Sequence, residues 1–373
     1  MGTSPLLVER RRATLTSSVM ITSSSRRRAT PTSSVMGTSS PRRHATPTSS
    51  VRIVVAFSLL AGDVCAWQSH IIAGPKLSGA TTAVASDGRV FQFGGLDERG
   101  AATAACWTFA DGAWTELATT GGGPGPVMYA AGAVQASPRR EEFVVCGGWD
   151  PGARGSGGSF EDSVWSLDTS SLAWTREDPL PCGPVSRHGA ATVGDRVFVH
   201  TFRGGVLRRD ACGVLKAHAT TGDAPEGLSM CATAGVDGGL LVFGGATKGG
   251  DFSGDAYVLD AKTYAWRRLA VAPRAAAPTP RGSCACAALD GARVLVFGGG
   301  AGAPGGRGLA ASDETWVLEV DGGAARWERL DVAGPAPRVA AALAKLPGGV
   351  VLSGGWDPAT AATFGDTWTL DVA

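Results

Sequence analysis

Two loops of the sequence read GGWDP, at 147–151 and 354–358, and a third, GGLDERG at 94–100, has Leu and Asp in the same places. Trp149, Leu96 and Trp356 therefore each stand beside a carboxylate, Asp150, Asp97 and Asp357. A large apolar body next to a polar group suits recognition of another molecule, and Trp with Arg are the residue types most enriched at interaction hot spots. The same Asp residues could instead cap rigid turns. Lys76, Arg187, Arg281 and Arg338 stand just before runs of small residues and are candidates for a basic rim. Two further loops, GGATKGGD (244–251) and GGGAGAPGGRG (298–308), offer glycine with Lys248 and Arg307 instead.

Signatures of bond-making chemistry are sparse. The five His are at 44, 70, 188, 200 and 218, with no pair at metal-motif spacing. The eight Cys are at 65, 106, 146, 182, 212, 231, 284 and 286, with no CxxC pair facing a second one, so neither zinc nor any other cofactor is expected. Cys284 and Cys286 fall two apart in a strand-like run, which puts both thiols on one face. No P-loop, dinucleotide fingerprint or Ser-His-Asp order stands out. Catalytic and metal-ligating residues are accordingly not assigned.

Whatever positions these loops is built from strands. Of 373 residues, 54 are Gly and 21 are Pro, one residue in five against a usual share of about 12%. Interior Gly costs a helix about 1 kcal/mol and Pro about 3, so many short strands joined by turns fit better. Formal charge is +1, which gives no overall attraction to nucleic acid. That balance hides a division, because residues 1–64 hold nine Arg and no Lys against only Glu9 and Asp63. Segments starting at Arg10, Arg26 and Arg42 repeat with a period of 16 and are rich in Ser, Thr and Arg. Such a segment has too little apolar surface to offset its ordering entropy, so 1–51 is expected to be a disordered tail. Residues 52–66 enclose the apolar run IVVAFSLLA, too short for a membrane span of about 20 residues but long enough for a signal or targeting core. The compartment stays open between a secretory or organelle route and the cytoplasm.

From Trp67 onward the sequence repeats. Glycine pairs at 94, 147, 244, 298 and 354 each end a short apolar run such as VFQF (90–93) or VLVF (294–297). After a variable loop comes an aromatic strand, for example VWSLD (164–168) or TWTLD (367–371), and then Trp114, Trp174, Trp266 or Trp327 opens another. With the small-residue run before each pair, the unit has four strands, a to d. Between 189 and 225 a degenerate copy has Thr201-Phe202 in place of the pair and Leu215 in place of the Trp. The last copy stops after strand c, whereas Trp67 opens a strand d with none before it. Pairing the two would close a ring of six and remove both exposed edges.

The glycine pair, the strand c aromatic and the strand d Trp resemble the kelch repeat. That resemblance implies an all-β, six-bladed kelch-type β-propeller over 67–373, with four-stranded blades around a central channel. It also implies that the strand c and d aromatics fill the space between blades, and that the b–c and d–a loops share one face. In kelch-containing ubiquitin-ligase adaptors, Arg in the d–a turn often meets acidic peptides. The copper oxidases of this fold need Tyr and His ligands, and Tyr129, Tyr257 and Tyr264 adjoin no His; the Glu-x-x-x-Asp-x-x-x-His iron motif of nitrile-specifier proteins is absent. The expected role is a monomeric, non-catalytic scaffold that binds a protein or peptide over the b–c and d–a face. The alternatives are a small-molecule enzyme (a sugar epimerase or metal-dependent lyase) or a secreted glycan-binding propeller.

Overall fold

The computed structural model describes residues 66–70, 73–153, 157–202, 204–303 and 308–372. The expected tail over 1–51 and nearly all of the apolar segment over 52–66 lie outside them, as does Arg307. Six antiparallel sheets follow in chain order, each reading a-b-c-d. Blade 1 is Thr81–Val84, Val90–Phe93, Cys106–Ala110 and Ala113–Glu116. Blade 2 is Ala131–Ala136, Glu141–Cys146, Val164–Asp168 and Trp174–Arg176. The degenerate copy still folds as blade 3, Gly189–Val193, Arg196–His200, Val206–Arg209 and Leu215–His218. Blade 4 is Ala232–Val236, Gly239–Phe243, Ala256–Asp260 and Ala265–Arg268. Blade 5 is Ala285–Ala288, Arg293–Phe297, Thr315–Asp321 and Ala324–Leu330. Blade 6 takes Ala342–Leu346, Gly349–Ser353 and Thr367–Asp371 from the end of the chain. Its strand d is Gln68–His70, with Gln68 opposite Thr369 and His70 opposite Thr367. The ring of six therefore closes as expected, and strand a of blade 6 contacts strand a of blade 1.

Strand b is buried along its whole length in blades 1, 4 and 6, which explains why its sequence is apolar at nearly every position. Packing between blades is set largely by strand d meeting the last residue of strand b in the preceding blade. Trp174 meets Phe93, Trp266 meets His200, Trp327 meets Phe243 and Trp67 meets Phe297, at ring centroids 4.7–5.7 Å apart. Blade 3 has only Leu215 at this place, in a cluster with Cys146, the last residue of strand b in blade 2, where the other joints have a ring. Strand d aromatics thus fill the space between blades as expected. Of the strand c aromatics, Phe109 and Trp316 are buried, whereas Trp107, Trp165, Tyr257 and Trp368 are only partly buried.

The glycine pair works at a joint between blades. Gly354 and Gly355 have φ of 66° and 97°, and the N–H of Gly355 donates to the Leu77 carbonyl of the next blade at 2.8 Å. A Cβ on Gly354 would lie 2.2 Å from that carbonyl oxygen, so only glycine fits. Blades 1, 2, 4 and 5 make the same bond to Val127, Val185, Arg281 and Arg338. Blade 3, lacking the pair, uses the Phe202 carbonyl to accept from Gly227 instead.

His200 occupies the place that Phe holds in blades 1, 4 and 5, and it is 1% exposed. Burial pulls its imidazole down to about 4, and the hydrogen bond that its ring N–H donates to the Pro225 carbonyl opposes this only in part. The unfolded chain, with an ordinary histidine near 6.5, binds the proton first as pH falls. Stability contributed by this group is therefore complete above about pH 6.5 and declines as pH falls toward 4, by roughly 2–3 kcal/mol. Urea melts at pH 7 and pH 4.5 should show this slope, and His200→Phe should reduce it, the similarly buried His188 supplying a further part. An unchanged slope would exclude His200 as its source.

Candidate functional site

Six residues each stand two positions before strand a: Gly79, Tyr129, Arg187, Met230, Ser283 and Ala340. All have φ between 53° and 67°. Each N–H donates to the carbonyl of its counterpart in the preceding blade at 2.8–3.1 Å, and Gly79 donates to Ala340, so the hydrogen bonds form a closed ring. The ring encircles the channel mouth, a cavity of about 180 Å³. Left-handed backbone is costly for five non-glycine residues, and the cyclic hydrogen bonding holds it in place.

On the loop face outside this ring lies a second, larger cavity of about 420 Å³. Its walls include Leu96, Trp149 and Trp356, which come from three consecutive blades, together with Met128, Tyr129 and Arg187. The three large side chains share one position, the residue after the glycine pair, and each pairs by a single bridge with its own d–a segment: Leu96 with Ser78, Trp149 with Met128, Trp356 with Val339. At that position blades 4 and 5 have Ala246 and Gly300. Large side chains thus hold this position in blades 6, 1 and 2, and small ones in blades 4 and 5. The Arg187 guanidinium stands 5.1 Å from the Tyr129 ring centroid and 5.6 Å from that of Trp149, within cation–π range. The Trp149 N–H donates to the Gly157 carbonyl at 2.9 Å, which fixes the ring's orientation.

The carboxylates beside these residues have another task. Asp97 accepts from the N–H groups of Arg99 and Ala101, Asp150 from Gly152, and Asp357 from Ala359 and the Thr360 hydroxyl. Those Thr360 and Ala359 donors hold the Asp357 carboxyl below its ordinary range. All three cap their own loops. Asp97 also reaches the cavity wall, whereas Asp150 and Asp357 do not.

The four basic candidates do not occupy one rim. Lys76 is exposed and pairs with Glu98 at 2.9 Å. Arg281 and Arg338 are 4% and 1% exposed and lie four residues before strand a; Arg187 is two residues farther along. Arg281 bonds the Gly298 carbonyl, the Thr279 hydroxyl and Glu314 at 2.5 Å. Arg338 bonds the Gly354 carbonyl and both oxygens of Asp366, with its guanidinium 3.8 Å from the Phe364 centroid. These two are staples within a blade whose backbone carbonyls also receive the preceding blade's glycine, and they are not available to a ligand. Acids just before strand c serve as their counterions. Asp366 receives Arg338 and the Trp368 N–H, and in blade 5 the role falls to Glu314, not Asp313.

Inside the mouth, burial pushes the Cys231, Cys284 and Cys286 thiols up to about 12, so they are neutral near pH 7. His188 lies beside Cys146 Sγ at 3.6 Å, and burial pulls its imidazole down to about 4. Among the described residues no carboxylate lines the mouth and no three His, Cys, Asp or Glu side chains are grouped to hold a metal ion. Nor is any described helix long and apolar enough to cross a membrane.

The sequence did not single out Tyr129, Met128 or Phe160. Phe160 pairs across the Trp149 hairpin and is 52% exposed, the largest exposed aromatic among the described residues. Tyr129 could have been found by aligning the residues two before strand a.

A closed ring of radial four-stranded sheets defines a repeat-built β-propeller. Residues 209–373 match the KLHDC2/KLHL20/DRC7 Kelch-repeats domain, and that match together with the ring of six blades supports a kelch-repeat propeller. A solved structure described as "Structure of YjhT" superposes with a TM-score of 0.62 at 15% identity, over 80% of this chain and 97% of that one, a likeness of fold. Kelch propellers in general support protein interaction.

Proposed function

We infer that the chain is a non-catalytic scaffold that binds a protein or peptide over its b–c and d–a loop face. Trp149, Leu96, Trp356, Tyr129 and Arg187 form the core of the contact, and Asp97 shapes its rim. The observation that carries this reading is the convergence of three large apolar side chains from consecutive blades on one open cavity. A propeller needs none of them there, since Ala246 and Gly300 complete the same bridge in other blades. Exposed Phe160 extends the apolar surface beyond the cavity.

Cross-linking followed by affinity capture from the native cell tests this. Replacing both Trp149 and Trp356 by Ala should reduce recovery of a specific partner about thirty-fold, the effect of losing a hot spot of about 2 kcal/mol. Lys248→Ala, on the glycine-rich half, should leave recovery unchanged. Equal recovery with the double variant, folded as judged by its melting temperature, refutes the assignment of the face.

A further inference from the structure

We propose that the propeller opens at one joint, the one between blades 6 and 1 that closes the ring, and that this opening parts the walls of the loop-face cavity.

Neighbouring blades meet through the last residue of strand b in one blade and the last but one in the next. Phe93 with Val145, Cys146 with Val199, Phe243 with Val296 and Phe297 with Leu352 each lie in one apolar cluster. At the closing joint the same two places hold Ser353 and Gln92. Both are buried, Gln92 completely. Gln92 Nε2 and Oε1 and Ser353 Oγ make no hydrogen bond within the described protein. Val90, Phe109, Ala344 and Val351 are the four buried apolar residues clustered here among those described, against eight to twelve at each other joint. Trp114 packs on Phe109 of its own blade at 5.3 Å and donates to Thr367 Oγ1 at 3.1 Å, yet stays half-buried.

Parting two blades elsewhere exposes apolar side chains to water, which is unfavourable. At the closing joint the same movement exposes fewer of them and lets water pair with a carboxamide and a hydroxyl that are unpaired while it is shut. The balance between shut and open therefore lies nearer to open here than at any other joint. Trp356 comes from blade 6, and Leu96 and Trp149 come from blades 1 and 2, so the joint passes between Trp356 and Leu96. Opening separates these two walls while the other joints remain shut. A partner that touches both walls binds only the shut state and shifts the balance toward it.

The effect on a partner rests on the docking reading, whereas the opening itself does not. Amide hydrogen exchange of the full chain, read residue by residue by NMR at pH 7 and corrected for intrinsic rates, tests it. The N–H groups of Gly355 and Gly79 donate across the closing joint, to Leu77 and Ala340. Gly245 and Ser283 hold the same places between blades 4 and 5, and Gly299 and Ala340 between blades 5 and 6. Gly355 and Gly79 should exchange about tenfold faster than these four counterparts. Gln92→Leu, which supplies the residue type that Leu352 has at the same place, should slow Gly355 and Gly79 several-fold and leave the counterparts unchanged. Equal exchange at all three joints overturns the proposal, and so does a Gln92→Leu variant in which Gly355 and Gly79 exchange as before. Should Gln92→Leu fail to fold, the comparison among joints in the native chain decides alone. The free chain suffices for these measurements, so failure of the opening leaves the docking face standing, and failure to capture a partner leaves the opening standing.

Discussion

Arg338→Ala is expected to destabilise the folded chain by about 3 kcal/mol, the scale on which removing one partner of a buried ion pair acts. The guanidinium is fully buried, satisfied by Asp366 and the Gly354 carbonyl, and covered by Phe364. Alanine removes that packing and leaves Asp366 with only the Trp368 N–H. The pH dependence should change as well. In the native chain burial pushes the Asp366 carboxyl up, but the bonds from Arg338 and Trp368 outweigh it and the net result lies below the ordinary range. The contribution of the pair is thus present above the ordinary carboxylate range and lost only as pH falls through that lower value. Without Arg338, burial is opposed by one donor alone, and protonation should begin at a higher pH. Urea unfolding at pH 7 and pH 4 measures both effects. Lys76→Ala, which removes an exposed pair, should change stability by less than about 1 kcal/mol. Equal effects of the two substitutions would show that Arg338 is not a staple.

Much of the fold could be read from residues whose roles are imposed by local geometry. A glycine that must hold positive φ against a neighbouring carbonyl leaves a mark that no other residue can imitate, and so does a tryptophan that must span the gap to the next blade. Even the degenerate copy was legible, because Leu215 keeps the spacing of Trp327 and the two strands take the same place. The unmatched Trp67 segment disclosed the closure for the same reason. The site was legible only in part. Trp149, Leu96 and Trp356 came together because the repeat places equivalent residues at equivalent points around the ring. The basic residues misled because spacing along the chain does not report depth. A difference of two residues in the d–a turn separates Arg187 at the mouth from Arg281 and Arg338 inside their blades. The fate of a charge depends on whether an acid lies opposite, and Asp366 and Glu314 are 28 and 33 residues away from theirs. Local sequence carries no record of that pairing.

Blade 3 shows what the joints tolerate. It lacks the glycine pair and its strand d tryptophan, yet all four of its strands pair in register. Compensation comes from the neighbours: Arg209 is buried between Glu142 and Glu177 of blade 2, and Trp266 of blade 4 packs on His200. Polar pairing has replaced apolar filling on one side of this blade. Loss of a single joint is sustainable because the ring holds the blade from both sides, and a ring can do that only if it is closed.

Trp67→Ala should therefore have the largest effect of any single substitution in the propeller, about 3–5 kcal/mol, the usual range for deleting a buried tryptophan. The side chain is 5% exposed, packs edge-on against Phe297 at 5.5 Å, and donates its N–H to Thr315 Oγ1 at 3.0 Å. Gly334 lies so close to the ring that a Cβ there would sit 2.4 Å from it. Trp67 thus bridges blades 5 and 6 while opening the strand that joins the two ends of the described chain. Only Gln68–His70 follows it in that strand, three residues of pairing reinforced by His70 against Thr369 Oγ1 at 2.7 Å. So short a strand cannot stay docked by its hydrogen bonds alone, and the tryptophan must anchor it. Hydrogen exchange should show the amides of Thr367–Asp371 losing protection first in Trp67→Ala, because their outer neighbour has left. Blades 2 and 3, on the far side of the ring, should keep theirs until global unfolding. Trp114→Ala, at the joint between blades 6 and 1 but half-exposed, should cost clearly less. If the two variants unfold at the same urea concentration, or if protection is lost evenly around the ring, the closing strand is not held by Trp67 and the propeller does not depend on that joint.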